Sequence, residues 1–543
     1  MNHIKDSYIS IVCNLSQYIS DSVKNLNCKS SNVNVDKNFC NFMEKLTIME
    51  TNNKFKVSRR NFIKVTAATT AAVSTMSLGS CNVEKVPAPM KRKFGKHDFK
   101  VTTFGLGGQA SLQWTAEGLD PVPIILKAFD LGINYFDTSN LYAGSQLNFN
   151  KAFKQLNLIP GEENYNVDLR NSIWLTSKTG MRWGKPGWPE REDVVNWSNG
   201  ENVQCAVDDV KRSLTQLFGD GNGNYPEGAY LDMVLIHTLH NEAEIDVLYE
   251  GLETPLDPNG NFGALVALRD LRDGTNLTGM NPNNEKLIKH IGFSGHNNPP
   301  AMIDMIQRDE WGILEGMLIA INANDRLMFN MQHNVIPVAE AKGMGIIGMK
   351  TFADAALYHK EPTWSNKPEH VYMEVGKPGL PSRPLVEYSL TTPGVHTLII
   401  GIGHIDDDPM KCQLVQNFYA CQVEPNGLTE DERLKIEQMA AAVKNGKTNY
   451  FQMGKEEFIA GPRQLKKEEK DGKNLLKWQT AYAGDEPLSH YEVMIDGQLT
   501  GKVEHTPQLL KSKPFVFETE KTGSEILIAA VDKAGNRMET KLV

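Results

Sequence analysis

The chain has 543 residues and a formal net charge of −9, with 40% hydrophobic and 23% charged residues. That length allows two to four domains, the composition is that of a globular protein, and the lack of a basic block able to neutralise several phosphates argues against nucleic acid as a partner. The seven cysteines form no C-x-x-C pair and no ligand spacing, so neither a disulfide framework, an iron–sulfur cluster nor a metal site is expected.

Residues 1–48 are rich in Asn, Ser and Lys without a clear period, and read as a mis-assigned start or a disordered tail, with translation beginning at Met49. Next comes Ser58-Arg59-Arg60-Asn61-Phe62-Ile63-Lys64, followed by a short run of Ala, Thr and Val from Val65 to Leu78. A basic segment, an apolar segment too short to span a bilayer and small residues after it describe a signal peptide. The paired arginines before Phe62 resemble the twin-arginine export signal. Leu78-Gly79-Ser80-Cys81 resembles a lipobox. Either Cys81 is lipidated and anchors the chain to a membrane face, or cleavage nearby leaves it free. Residues 49–81 are thus assigned to the signal and 82–91 to a linker. The expected location is the periplasm, or a membrane-anchored lipoprotein of a bacterium, reached through the export machinery.

From Arg92 to Phe99 the sequence predicts a small β-hairpin capping a domain. Short apolar runs then alternate with helical patterns, at Val101–Gly107, Ile133–Phe136, Ile173–Thr176, Met233–Ile236, His290–Phe293, Leu318–Ile321, Gly345–Gly348 and Thr397–Ile400. None alternates strictly, as expected of strands buried on both faces. The stretches Pro123–Leu131 and Val203–Phe218 are amphipathic at helical spacing. Eight strand–helix units predict an α/β fold, a (β/α)8 TIM barrel over residues 92–463. An open doubly wound sheet is disfavoured because Phe104-Gly105-Leu106-Gly107-Gly108 lacks G-x-G-x-x-G.

In such a barrel the chemistry sits where strands run out at their C-terminal ends. Three successive runs end in Asp137, Lys178 and His237, with Tyr142 just beyond the first. Titratable groups from consecutive units would converge on one rim, which makes them candidate catalytic residues. Gly132-Ile133-Asn134-Tyr135-Phe136-Asp137-Thr138-Ser139, with Tyr142 after it, resembles the aldo-keto reductase pattern G-x-N-x-x-D-T-(S/A)-x-x-Y. Lys178, His237, Gly292-Phe293-Ser294 and Gly394 to Gly401 follow in that family's order. The resemblance covers about residues 92–430 and implies an NAD(P)H-dependent reduction of a small carbonyl or sugar substrate. Tyr142 would protonate the nascent alkoxide, Lys178 would lower the phenol's pKa, Asp137 would hold Lys178, and His237 would orient the carbonyl oxygen. The hydride chemistry belongs to the cofactor.

Several cofactor positions depart from the family. Ser294 matches the serine expected on the nicotinamide carboxamide, but the next residue is Gly295, with His296 and Asn297 as substitutes. Ala320 stands where a glutamine is usual. Met349 replaces the stacking aromatic, with Lys350 after it. Gly401 closes the last strand, Gln413 takes an arginine position, and Gln416-Asn417 matches the adenine-side pair. Asp406, Asp407 and Asp408 would repel a 2′-phosphate, so the family implies NADP while this loop argues for NAD.

After the charged stretch Lys466–Asp471, read as a linker or first turn, the pattern becomes all-β: Leu475–Trp478, Tyr491–Ile495, a turn at Asp496-Gly497, Phe515–Phe517 and Ile526–Val531. Residues 464–543 are therefore assigned to a small β-sandwich that resembles a fibronectin type III domain and implies attachment or spacing. The alternative to an enzyme is a non-catalytic surface binding protein on a decayed barrel. A two-carboxylate hydrolase is disfavoured, because Asp137 is the only carboxylate ending these strands.

Overall fold

Eight parallel strands close into one barrel in this computed structural model: β3 (Phe104–Gly107), β4 (Tyr135–Asp137), β5 (Trp174–Thr179), β6 (Leu231–Leu239), β7 (Ile288–Gly295), β8 (Leu314–Ala320), β9 (Gly345–Met349) and β10 (Thr397–Ile400), with β10 pairing back to β3. The structure describes residues 86–542 except 187–190, 197–204, 255–256, 258–259, 372–379, 407, 409–410 and 456–460. Met49, the Arg59-Arg60 pair and Cys81, on which the export reading rests, lie outside the described residues, as does Asp407. No helix among the described residues is long and apolar enough to cross a membrane.

The barrel strands are buried along almost their whole length because one face fills the interior and the other meets helices. Outside them run helices such as Val122–Asp130, Ala206–Phe218 and Ala264–Asp273, each turning an apolar stripe inward. One expected strand is divided. Val101 belongs to an antiparallel hairpin, β1 (Lys91–Lys93) with β2 (Lys100–Thr102), and only Phe104–Gly107 enters the barrel. The hairpin loop plugs the barrel's N-terminal end with Phe94. Gly345 makes room for that ring, since a Cβ there would lie 2.6 Å from it.

Register places the candidate residues at one end. Asp137 lies between Gly107 and Thr176, and Lys178 is opposite Leu235. All strands are parallel, so these positions share the C-terminal rim.

The C-terminal region holds two antiparallel sheets. One orders β11 (Arg463–Lys470), β12 (Lys473–Gln479) and β15 (Phe515–Thr519); the other orders β14 (Gln498–Glu504), β13 (Leu488–Ile495), β16 (Ile526–Asp532) and β17 (Arg537–Lys541). Leu476, Trp478, Tyr491, Val493 and Ile528 share one core between them. The charged stretch 466–471 is not a linker. Most of it forms edge strand β11, paired with β12 through Lys466–Lys470, where lysine and glutamate shield an open edge. The β-sheet region also docks on the barrel: Asn334 accepts the N–H of Ala483 at 2.8 Å and donates to its carbonyl at 3.0 Å, and Tyr482 packs on Phe329.

Candidate active site

The turn after β4 builds the first part of the site. Tyr142 N–H donates to the Ser139 carbonyl at 3.0 Å, and Ser145 N–H to that of Tyr142 at 2.7 Å, just before the helix Ser145–Gln155. This folds the phenol back over the barrel mouth. From β5, Lys178 Nζ donates to Asp137 Oδ1 at 2.5 Å and to the Thr138 carbonyl at 2.9 Å. The same ammonium lies 4.7 Å from the centre of the Tyr142 ring. His237 on β6 meets that ring edge-on, with centroids 5.8 Å apart. The structure thus brings all four rim residues together. Tyr142, Asp137 and His237 face a cavity of about 720 Å³, and Lys178 sits behind them, 2% exposed.

Burial dominates the electrostatics. It pushes Asp137 up and Lys178 down, each partly offset by the other's charge. It also holds His237 well below the ordinary histidine range, with Lys178 adding to the effect, so the ring is neutral at pH 7. The expectation that Lys178 acidifies Tyr142 is not met in the resting protein. Burial, then the Asp137 charge, hold the phenol well above its usual value. The reason is that burial and the Asp137 charge outweigh the ammonium, which is itself held by Asp137.

The cavity continues along the ends of β9, β10 and β3. Met349, Lys350, Gly401, Gln413 and His296 line it. Ser294 does not: its hydroxyl accepts the Thr238 N–H at 2.9 Å. Asn417 is also turned inward, 1% exposed, away from the cavity lining. A dinucleotide needs apolar plates for its rings, and a cation or bare N–H groups for its diphosphate. Met349, Ile399 and Ile400 supply the first, and Lys350 with the bare backbone of Gly107, Gly108 and Gly401 the second. A Cβ at Gly108 would sit 2.4 Å from the Asp137 carbonyl oxygen, so only glycine keeps this floor open. The residues present fit a nicotinamide dinucleotide, and the volume falls within the usual range for ligand sites. In the acidic loop, Asp408 pairs with Lys411 at 3.3 Å, which softens the predicted repulsion of a 2′-phosphate.

The roof of the cavity is partly legible in the sequence: the long aromatic segment 358–384, which carries Trp364, reads as one able to close over a sugar or another polar carbonyl, whereas Tyr450 and Phe451 are missed. Trp364, from the long aromatic segment after β9, packs against His296, Tyr450 and Phe451. Tyr450 and Phe451 follow the last barrel helix, Glu430–Ala441, and carry no motif that would mark them. Asp354 ties the roof together: it pairs with Lys360 at 2.8 Å and Lys350 at 3.5 Å, and accepts the Tyr450 hydroxyl at 2.8 Å. Burial alone would raise this carboxyl, but Lys350 and Lys360 outweigh it and hold it well below the usual range.

Comparison with known proteins agrees with the sequence resemblance. Residues 103–371 match the model of the Aldo/keto reductase family. The uncharacterized oxidoreductase YqkF of Bacillus subtilis (strain 168) is 30% identical over 165 residues, 30% of this chain and 44% of that protein. The chain therefore aligns with less than half the length of this curated relative. Among solved structures, the holo form of aldo-keto reductase AKR11C1 from Bacillus halodurans is 21% identical, with a TM-score of 0.39, covering 65% of this chain and 98% of that one. An aldo-keto reductase from Klebsiella pneumoniae in complex with NADPH is 16% identical, with a TM-score of 0.40, covering 65% and 96%.

Proposed function

We propose that the aldo/keto reductase domain at residues 103–371 makes this protein an exported NAD(P)H-dependent oxidoreductase that reduces the carbonyl of a small substrate, with Tyr142 as proton donor. The observation that carries this reading is the buried Asp137–Lys178 pair under the Tyr142 ring, with neutral His237 beside it. A bound nicotinamide supplies the hydride. His237 faces the cavity and offers a ring nitrogen to the substrate oxygen, fixing the carbonyl near Tyr142. The Tyr142 hydroxyl then gives its proton to that oxygen as negative charge builds there. Lys178 acts on what is left behind, since an ammonium next to the ring stabilises a phenolate far more than a neutral phenol. Asp137 fixes Lys178 in that place. Met349, Lys350, Gly401 and Gln413 would hold the dinucleotide, and the roof of Trp364, Tyr450 and Phe451 excludes water.

Titrating the purified protein with NADPH and NADH, followed by nucleotide fluorescence, tests the reading. Saturable binding of at least one is expected. Binding of neither would leave the barrel a non-catalytic binding module.

The export reading is retained as part of this proposal. Arg59-Arg60 and the apolar run after them support twin-arginine translocation, with Cys81 as lipid anchor. Changing both arginines to lysine is expected to keep the chain inside the cell on fractionation; normal export of that variant would end this part. A fibronectin type III-like spacer or attachment module is the proposal for the C-terminal sheets, supported by their three-plus-four strand arrangement around Trp478 and Tyr491.

A further inference from the structure

Strand β6 is irregular at the residue the proposed chemistry uses to orient its substrate. Ile236 lies opposite Phe293, yet Leu239 lies opposite Gly295, so β6 runs one residue longer than β7 over this stretch. His237 and Thr238 fill the excess. Thr238 has φ +52°, a left-handed conformation that a β-branched residue rarely adopts. Bulges of this kind re-aim a side chain and free backbone groups from the ladder. Such strain persists only where the surroundings over-determine it.

Here the surroundings are specific. The Thr238 N–H is taken by Ser294 Oγ at 2.9 Å, and Thr238 Oγ1 meets His296 Nδ1 at 2.8 Å. Arg182 Nη2 donates to the carbonyls of both His237, at 2.9 Å, and Thr238, at 2.5 Å. Arg182 comes four residues after Lys178 and its side chain is 0% exposed; its countercharge, Glu244, lies 3.6 Å away and is equally buried. Glu244 is fixed in turn by the His240 N–H at 2.8 Å and the Val195 N–H at 3.1 Å. A buried ion pair is weak evidence for stability, because packed apolar residues often serve as well. What apolar residues cannot do is donate hydrogen bonds to two successive carbonyls, as the single Nη2 amino group of Arg182 does.

We infer that Arg182, held by Glu244, is a positioning residue that clamps the β6 bulge and so aims His237 into the cavity. The kinetic consequence rests on the reductase reading; the positional claim does not. The test is a crystal structure and kinetics of the full chain carrying Arg182→Met with Glu244→Gln, which removes both charges together. The His237 ring is expected to move by about 1 Å or more, a displacement that can lower turnover about 100-fold. At least a tenfold fall in kcat is expected, with the Kd for NADPH unchanged within about twofold. A purely structural role predicts instead a lower Tm with the ring in place and kcat preserved, and that result overturns the inference. Should the double variant fail to fold, Arg182→Lys keeps a cation near Glu244, but its nitrogen lies one bond nearer the backbone than Nη2 and cannot serve Glu244 and both carbonyls together. The same ring shift is expected there, and an unmoved ring is equally decisive. If the parent reduces no carbonyl with either nucleotide, the ring position still decides the clamp, and only the reductase reading falls.

Discussion

A Tyr142→Phe variant is expected to lose about 10²- to 10⁴-fold in kcat for carbonyl reduction, the range for removing one general acid, while its fold and its affinity for nucleotide stay as they were. The ring is 8% exposed and touches Lys178 and His237 through its faces and edge, and phenylalanine preserves those contacts. The hydroxyl makes no hydrogen bond among the described residues, so its removal leaves no buried partner unsatisfied. What disappears is the proton. The parent's pH profile adds a second check. Burial holds the Tyr142 phenol well above, and the His237 imidazole well below, their ordinary values. Neither group changes charge between about pH 6 and 9, whereas an ordinary histidine would take up a proton near 6.5. Turnover at saturating substrate should therefore show no inflection near 6.5 as the pH falls from 7.5 to 6. Equal rates for parent and variant, measured with NADPH or NADH against a panel of sugar aldehydes and ketones, would end the assignment of Tyr142.

The barrel was legible because most strands carry a short apolar run set off by polar rim residues, and because parallel order sends Asp137, Lys178 and His237 to the same end. The strands that escaped notice were polar ones. In β14 and β17 exposed and partly buried residues replace an apolar run, and β11 is so charged that it reads as a linker. At the site, residue types announced the chemistry but not the electrostatics. Lys178 beside a tyrosine suggests an acidified phenol; only the 2.5 Å contact with Asp137 shows where its charge is directed. Ser294 looked like a cofactor ligand by order alone, yet it serves the backbone of Thr238. The β6 bulge depends on a dihedral angle and a register shift, and no spacing of residue types encodes either. Tyr450 and Phe451 reach the cavity from beyond the last barrel helix, a long-range placement set by packing.

Replacing Lys178 alone separates its structural role from its chemical one. Lys178→Met leaves Asp137 buried without a countercharge, and breaking such a pair typically costs about 3–5 kcal/mol of stability. The cost should depend on pH with a definite sign. Burial already raises Asp137, and without Lys178 the folded chain keeps that proton to higher pH than the unfolded chain, whose aspartate titrates near 3.9. The folded state then binds more protons, so stability falls as pH rises above about 4 and the deficit is larger at pH 7.5 than at pH 5. Adding Asp137→Asn removes the stranded charge, and urea titrations should show most of the lost stability restored. Turnover should not return with it. Both variants are expected to stay at least about 100-fold below the parent, within the range for disabling acid–base catalysis, because neither has an ammonium to stabilise the phenolate that proton donation leaves on Tyr142. A double variant that regains both stability and rate would mean that the pair only fills the rim, and that the phenol gives up its proton without help from Lys178.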